Sequence, residues 1–176
     1  LWKHLSNLPP LRIQSPADAS EYESEFNRIE SEIDVDLFNE YQKRLSRFCT
    51  LEIVELSPVY LPDSPSESEI ETALKKEAEM IKSKIPDNYY VFSLCIGGNM
   101  VTSEKFASLI NDNKSQGKNL CFIIGSSYGL DNSIKSLSDF KLSFSHMTFP
   151  HQFFRIMLLE QIYRGFMINE GSAYHK

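Results

Sequence analysis

The residues best equipped for chemistry in this chain fall in four places. Three are short runs rich in small residues: Ile96-Gly97-Gly98, Ile124-Gly125-Ser126-Ser127-Tyr128-Gly129 and Ser143-Phe144-Ser145-His146-Met147-Thr148. Each follows an apolar run that reads as a strand, and in open α/β sheets ligands bind beyond the carboxyl ends of the strands. Glycine in such a place permits positive φ and lets backbone amides approach a ligand closely. Ordinary strand-to-helix turns account for the glycines equally well. None of the runs matches G-x-G-x-x-G or G-x-x-x-x-G-K-[ST], which speaks against nucleotide phosphate binding by those routes. The fourth place is the C-terminus, where Tyr174, His175 and Lys176 combine a ring that can stack, a titratable base and a cation suited to phosphate. A loose terminal tail is the plain alternative.

Other chemistries find little support. There is no G-x-S-x-G elbow. His4, His146, His151 and His175 lack the spacing of metal ligands, so no metal is expected, and His151 sits where a helix begins, a place for packing or capping. The three cysteines, Cys49, Cys95 and Cys121, are an odd number without metal-ligand spacing. They read as buried free thiols of a protein in a reducing cytoplasm. No apolar run approaches the ~20 residues that span a bilayer, and the N-terminus lacks the basic-then-apolar order of a signal peptide. Neither a membrane span nor a leader is expected.

The net charge of −6 is unevenly placed. Residues 1–40 hold nine acids against three bases, and the remaining 136 residues hold fifteen of each. The acidity belongs to the N-terminal segment and leaves an RNA-facing body open, although no run of basic residues marks one.

These candidate residues need elements to hold them. Residues 1–33 form a divergent acidic segment, broken by Pro9, Pro10 and Pro16, with a helix predicted after Ser15 from Tyr22, Phe26, Ile29 and Ile33. From Asp34 a second unit extends to Lys176. Val35, Leu37, Phe38, Tyr41 and Leu45 make one helical face. A strand is predicted over Leu51–Leu56, a Pro/Ser-rich loop over Ser57–Ser68 and an amphipathic helix over Glu69–Lys84. The pattern continues with a strand over Tyr89–Ile96, a helix capped by Ser103 and running through Ile110, a strand over Asn119–Ile124 and a short helix over Asn132–Leu137. A last strand covers Lys141–Phe144, and Pro150 opens a closing helix to about Ile168. Strands alternating with helices predict an α/β fold with a mainly parallel sheet. The closing helix carries Phe153, Phe154, Met157, Leu158, Ile162, Tyr163 and Phe166, more than one face of apolar residues. Core on one side and a subunit interface on the other would use them.

Several of these segments together are recognisable. Phe122 to Leu130, Leu142 to Gln152, Glu160-Gln161-Ile162-Tyr163-Arg164 and Tyr174-His175-Lys176, with Glu40 to Leu45 and Leu94 to Gly98 upstream, resemble the ribosomal RNA large subunit methyltransferase H family in order and spacing. The resemblance runs from about Asp34 to the last residue. It implies a SPOUT-type fold with a deep trefoil knot in the C-terminal chain and a homodimer binding S-adenosyl-L-methionine in the knot. It also implies methylation at N3 of a pseudouridine in 23S ribosomal RNA on the assembled ribosome. Carried over position by position, cofactor contacts fall on Leu94, Gly125, Phe144, Ser145, His146, Met147, Thr148 and Phe149. Catalysis and RNA contact fall on Arg164, Tyr174, His175 and Lys176, possible across the dimer, with His151 beneath the pocket. Two departures stand out. The family opens with a strand that residues 1–33 do not match, and Ser126 stands where the family usually has glycine. A positive φ at Ser126 would cost about 1 kcal/mol or more. A second reading follows from these departures: a knotted dimer that binds ribosomes with weakened or lost methyl transfer.

Overall fold

Four consecutive residues, Val91 to Leu94, are buried, and an uninterrupted buried run of this kind belongs to a strand covered on both faces. In the computed structural model, which describes residues 35–57 and 59–175, that strand is the centre of the sheet. Helix α1 spans residues 35–45, and α2 spans Glu67–Lys82. Then follow β1 (Tyr89–Met100), α3 (Ser103–Ser115), β2 (Asn119–Ile124), α4 (Asn132–Leu137), β3 (Phe140–Ser143) and α5 (His151–Asn169), with a 3-10 turn over Ala173–His175. The strand order is β2-β1-β3, all parallel. The expected α/β class with a parallel sheet is therefore present. The predicted helix after Ser15 and the acidic segment 1–33 lie outside the described residues.

The two faces of β1 take different partners. Phe92 and Leu94 join Leu45, Phe106, Ile110, Leu142, Leu158, Leu159, Ile162 and Tyr163 in the larger core, under α1, α3 and α5. Val91 joins Ala78, Ile123, Leu130 and Ile134 in a smaller one, under α2 and α4. The inner side of helix α5, Leu158, Leu159, Ile162 and Tyr163, meets this larger core. Gly165 lets it approach α3 closely: a Cβ there would stand 2.8 Å from Ile110 Cδ1.

Helix starts follow local chemistry. Ser66 and Glu69 form a reciprocal capping box at α2, so α2 begins two residues before the predicted Glu69. Thr102, not Ser103, caps α3 by accepting from the Lys105 amide, and α3 runs on to Ser115.

Two expectations about strands need correcting. Residues 51–56 form no strand. Their alternation is strand-like, but a strand needs a ladder neighbour, and none of the three described strands pairs with them. Ile53 and Val54 are exposed instead, and Glu55 is held by an ion pair from Arg155 of α5 at 2.6 Å. The strand predicted to end at Ile96 continues to Met100. Leu94 and Asn99 both face Leu142 of β3, so Cys95-Ile96-Gly97-Gly98 is looped out of the ladder. Gly98 has to be glycine there, since a Cβ would lie 2.8 Å from backbone atoms of Lys141 and Leu142.

Candidate functional site

The carboxyl ends of β1 and β3 open onto a cleft of about 290 Å³ between them and α5. Val101, Phe106, Leu142, Phe144 and Met157 give it apolar walls, and Thr102, Ser143, Glu160 and Gln161 give it polar ones. Ser143 Oγ lies 3.1 Å from the carbonyl oxygens of both Ile96 and Ser145, tying the looped-out segment of β1 to the loop after β3. Phe144 packs on Phe154 at 5.0 Å between ring centres, and Phe149 stacks on the same ring at 6.5 Å.

Of the residues assigned to the cofactor, Phe144 lines this cleft, and Leu94 lies in the core beneath it, 7% exposed. Ser145 Oγ accepts from the Met147 amide at 3.0 Å. His146, Met147 and Thr148 are exposed. Among the described residues, the backbone amides of His146, Thr148 and Phe149 have no protein acceptor. Gly125 begins the tight turn after β2, in which the Gly129 amide donates to the Ser126 carbonyl at 2.8 Å. A Cβ on Gly125 would stand 2.3 Å from the Gly129 oxygen. Gly125 does not line the 290 Å³ cleft. Ser126 lines a second hollow of about 310 Å³ between α2 and the 59–63 loop. The concern over Ser126 is resolved by its backbone: Asn88 is the non-glycine residue with positive φ among those described, so serine at 126 carries no left-handed strain.

At the α5 side of the cleft sits a polar constellation that sequence reasoning only half found. Arg164 donates to Glu160 Oε1 through Nε at 3.0 Å and Nη2 at 2.5 Å. The Tyr174 hydroxyl donates to Glu160 Oε2 at 3.2 Å, and Tyr41 lies near enough for the same carboxylate to act on its phenol. Tyr174 also lies under Arg164, with the guanidinium carbon 5.0 Å from the ring centre, and meets Tyr163 edge-on at 5.2 Å. Burial first, then the Glu160 charge, holds the Tyr174 phenol above its ordinary value. Burial and the Glu160 carboxylate do the same for Tyr41. Both hydroxyls therefore stay protonated, and that of Tyr174 donates to Glu160. Glu160 and Tyr41 were missed as site residues. The signal was available in the i, i+4 spacing of Glu160 and Arg164 on one helix, but nothing in the sequence announces that Tyr41 comes to the same carboxylate. Of the remaining candidates, His175 ends the 3-10 turn, His151 begins α5, and Lys176 lies outside the described residues.

No group of metal-ligating side chains occurs among the described residues, and none of their helices is long and apolar enough to cross a membrane. The site is therefore a largely apolar cleft with the Glu160 carboxylate in its wall, held in an Arg–Glu–Tyr cluster. This suits an uncharged aromatic ligand with polar edges, as the adenosine of S-adenosyl-L-methionine is, better than a phosphate.

A family model described as "Predicted SPOUT methyltransferase" matches residues 25–175, and the chain belongs to this SPOUT methyltransferase family. Its relatives include the ribosomal RNA large subunit methyltransferase H of Clostridium beijerinckii, 50% identical over 142 residues, covering 80% of this chain and 89% of the relative. The putative ribosomal RNA large subunit methyltransferase H of Methanococcus maripaludis is 51% identical over 142 residues, with the same coverage. The Clostridium tetani enzyme of that name is 50% identical over 138 residues, covering 78% of this chain and 87% of its own length.

Proposed function

We propose that this protein is an S-adenosyl-L-methionine-dependent methyltransferase of large-subunit ribosomal RNA, acting at N3 of a pseudouridine on the assembled ribosome in the cytoplasm. The observation that carries the reading is the convergence on one cleft of the loop after β3, on the cofactor side, and the Glu160–Arg164–Tyr174 cluster, on the RNA side. Identity near 50% to relatives named for this activity supports it.

In this reading the unpaired amides of the 144–149 loop hold the adenosine and methionine parts of the cofactor. Phe144, Ser145, His146, Met147, Thr148 and Phe149 form the binding wall, with Leu94 in the core beneath it and Gly125 in the turn after β2 as the remaining cofactor residues. The bound cofactor supplies an electrophilic methyl group. The pseudouridine imide must lose its N3 proton as that methyl arrives, and His175, directly or through a water, takes it. Arg164 and Lys176 steady the RNA backbone or the negative charge that develops on the base. Tyr174, fixed by Glu160, places the tail that carries His175. The C-terminal chain threads a trefoil knot, and the outward side of α5, where Phe153 is exposed, meets a second copy in a homodimer. His151 lies beneath the pocket.

Calorimetric titration with S-adenosyl-L-methionine tests the cofactor assignment. Saturable binding by the wild type, lost in Gly125→Val because its side chain would force apart the turn at Gly129, is the expected result. A folded wild-type protein that binds no cofactor would instead favour a ribosome-binding protein without methyl transfer.

A further inference from the structure

A chain of touching rings brings four cations onto one face. Phe48 stacks on Phe166 at 5.2 Å and meets Tyr163 at 6.0 Å. Tyr163 meets Tyr41 at 6.4 Å and Tyr174 at 5.2 Å. Above these rings lie Arg44, 5.5 Å from the Tyr41 centre and 5.7 Å from that of Tyr163, and Arg47, 5.5 Å from that of Phe48. Lys114 lies 5.8 Å from the Phe166 centre, and Arg164 lies over Tyr174. Because each ring touches the next, the four cations share a continuous surface built from the C-terminal ends of α1 and α3 and the last turns of α5.

Helix dipoles favour a cation at each of these ends singly, but they do not require the ends to converge. Glu40 pairs with Arg44 and Glu160 with Arg164. Arg47 and Lys114 are exposed and have no ion-pair partner among the described residues. The opposite face of the sheet differs in charge: α2 carries five glutamates against three lysines. A protein of net charge −6 thus keeps uncompensated positive charge beside Arg164 and Tyr174. The rings beneath hold the guanidinium and ammonium groups in place, which lowers the entropy lost when they meet an anion.

We infer that Arg44, Arg47, Lys114 and Arg164 form a phosphate-contacting face that holds the RNA backbone leading into the cleft. The inference rests on the RNA-methylating reading above and extends it to a surface away from the reacting atoms. Arg47 and Lys114 contribute most, since neither shares its charge with a carboxylate.

The test is the salt dependence of binding to purified ribosomes, read by co-sedimentation and without methyl transfer. Each phosphate contact contributes roughly 0.7 to 0.9 to the slope of log K against log salt. The Arg47→Ala/Lys114→Ala variant is expected to bind about tenfold more weakly at 0.1 M salt, with a slope smaller by about 1.4 to 1.8. The Arg47→Lys/Lys114→Arg variant keeps both charges and is expected to match the wild type. An alanine variant with wild-type affinity and slope overturns the proposal. So does a charge-keeping variant as weak as the alanine one, and so does a wild type that does not bind. Salt-dependent binding without methyl transfer would overturn the enzymatic reading and leave this face standing.

Discussion

Glu160 is the residue on which the polar half of the site turns, because one carboxylate receives both Arg164 and Tyr174. Its side chain is 18% exposed and that of Arg164 27%, so the pair is shielded enough to fix geometry while still reached by solvent. Glu160→Gln removes the charge at nearly constant volume and loosens both Arg164 and the tail. A misplacement of about 1 Å at a reacting group can cost about 100-fold in rate. Methyl transfer at saturating substrate is therefore expected to fall about 10- to 100-fold, with cofactor affinity changed less than about twofold. Single-turnover transfer and calorimetry on one preparation read the two effects separately. Equal losses in both would make Glu160 a structural residue and not a positioning one.

At the scale of elements, the looped-out turn of β1 is tied through Ser143, which lines the cleft, to the loop after β3. It depends on Gly98, whose missing Cβ leaves room for the β3 backbone. Gly98→Ala is expected to destabilise the protein by about 1–3 kcal/mol through overpacking against atoms that cannot rotate away, measured as the shift in urea midpoint. An unchanged midpoint would mean that the two strands separate freely at this point. Much of this layer was legible in the sequence. The buried run at Val91–Leu94, the proline opening α5 and the strand before Gly125 are local signals, and β2 and α5 lie where their patterns placed them. Residues 51–56 misled because alternation reports what a segment prefers, whereas a strand exists only if a neighbour offers hydrogen bonds. The extension of β1 beyond Gly98 was hidden for a related reason: two glycines look like an end until a second strand supplies the register. Arg164 and Tyr174 were singled out as candidates through their resemblance to a family, while Tyr41 was not, since it comes near Glu160 from a helix more than a hundred residues away.

For the whole molecule, the distribution of charge and of tyrosines sets how it responds to its surroundings. Burial pushes Tyr90, Tyr41 and Tyr174 above the ordinary phenol value of 10.0, with nearby carboxylates adding to the effect. A group whose folded pKa is raised contributes stability that is complete below its unfolded pKa and is lost as pH climbs through the folded value. Denaturant midpoints are therefore expected to be insensitive to these tyrosines up to about pH 9 and to fall above about pH 10, less steeply in Tyr41→Phe. Midpoints that rise above pH 10 would contradict the assignment of these phenols as buried donors. The central claim is methyl transfer to one base of ribosomal RNA, and its most direct test is chemical. Ribosomes lacking the modification are incubated with the protein and methyl-labelled S-adenosyl-L-methionine, and the RNA is digested to nucleosides for mass spectrometry. Label appearing as N3-methylpseudouridine in the large-subunit RNA, and absent with Gly125→Val, is the predicted result. Label in any other nucleoside, or none from a folded protein that binds the cofactor, would contradict it.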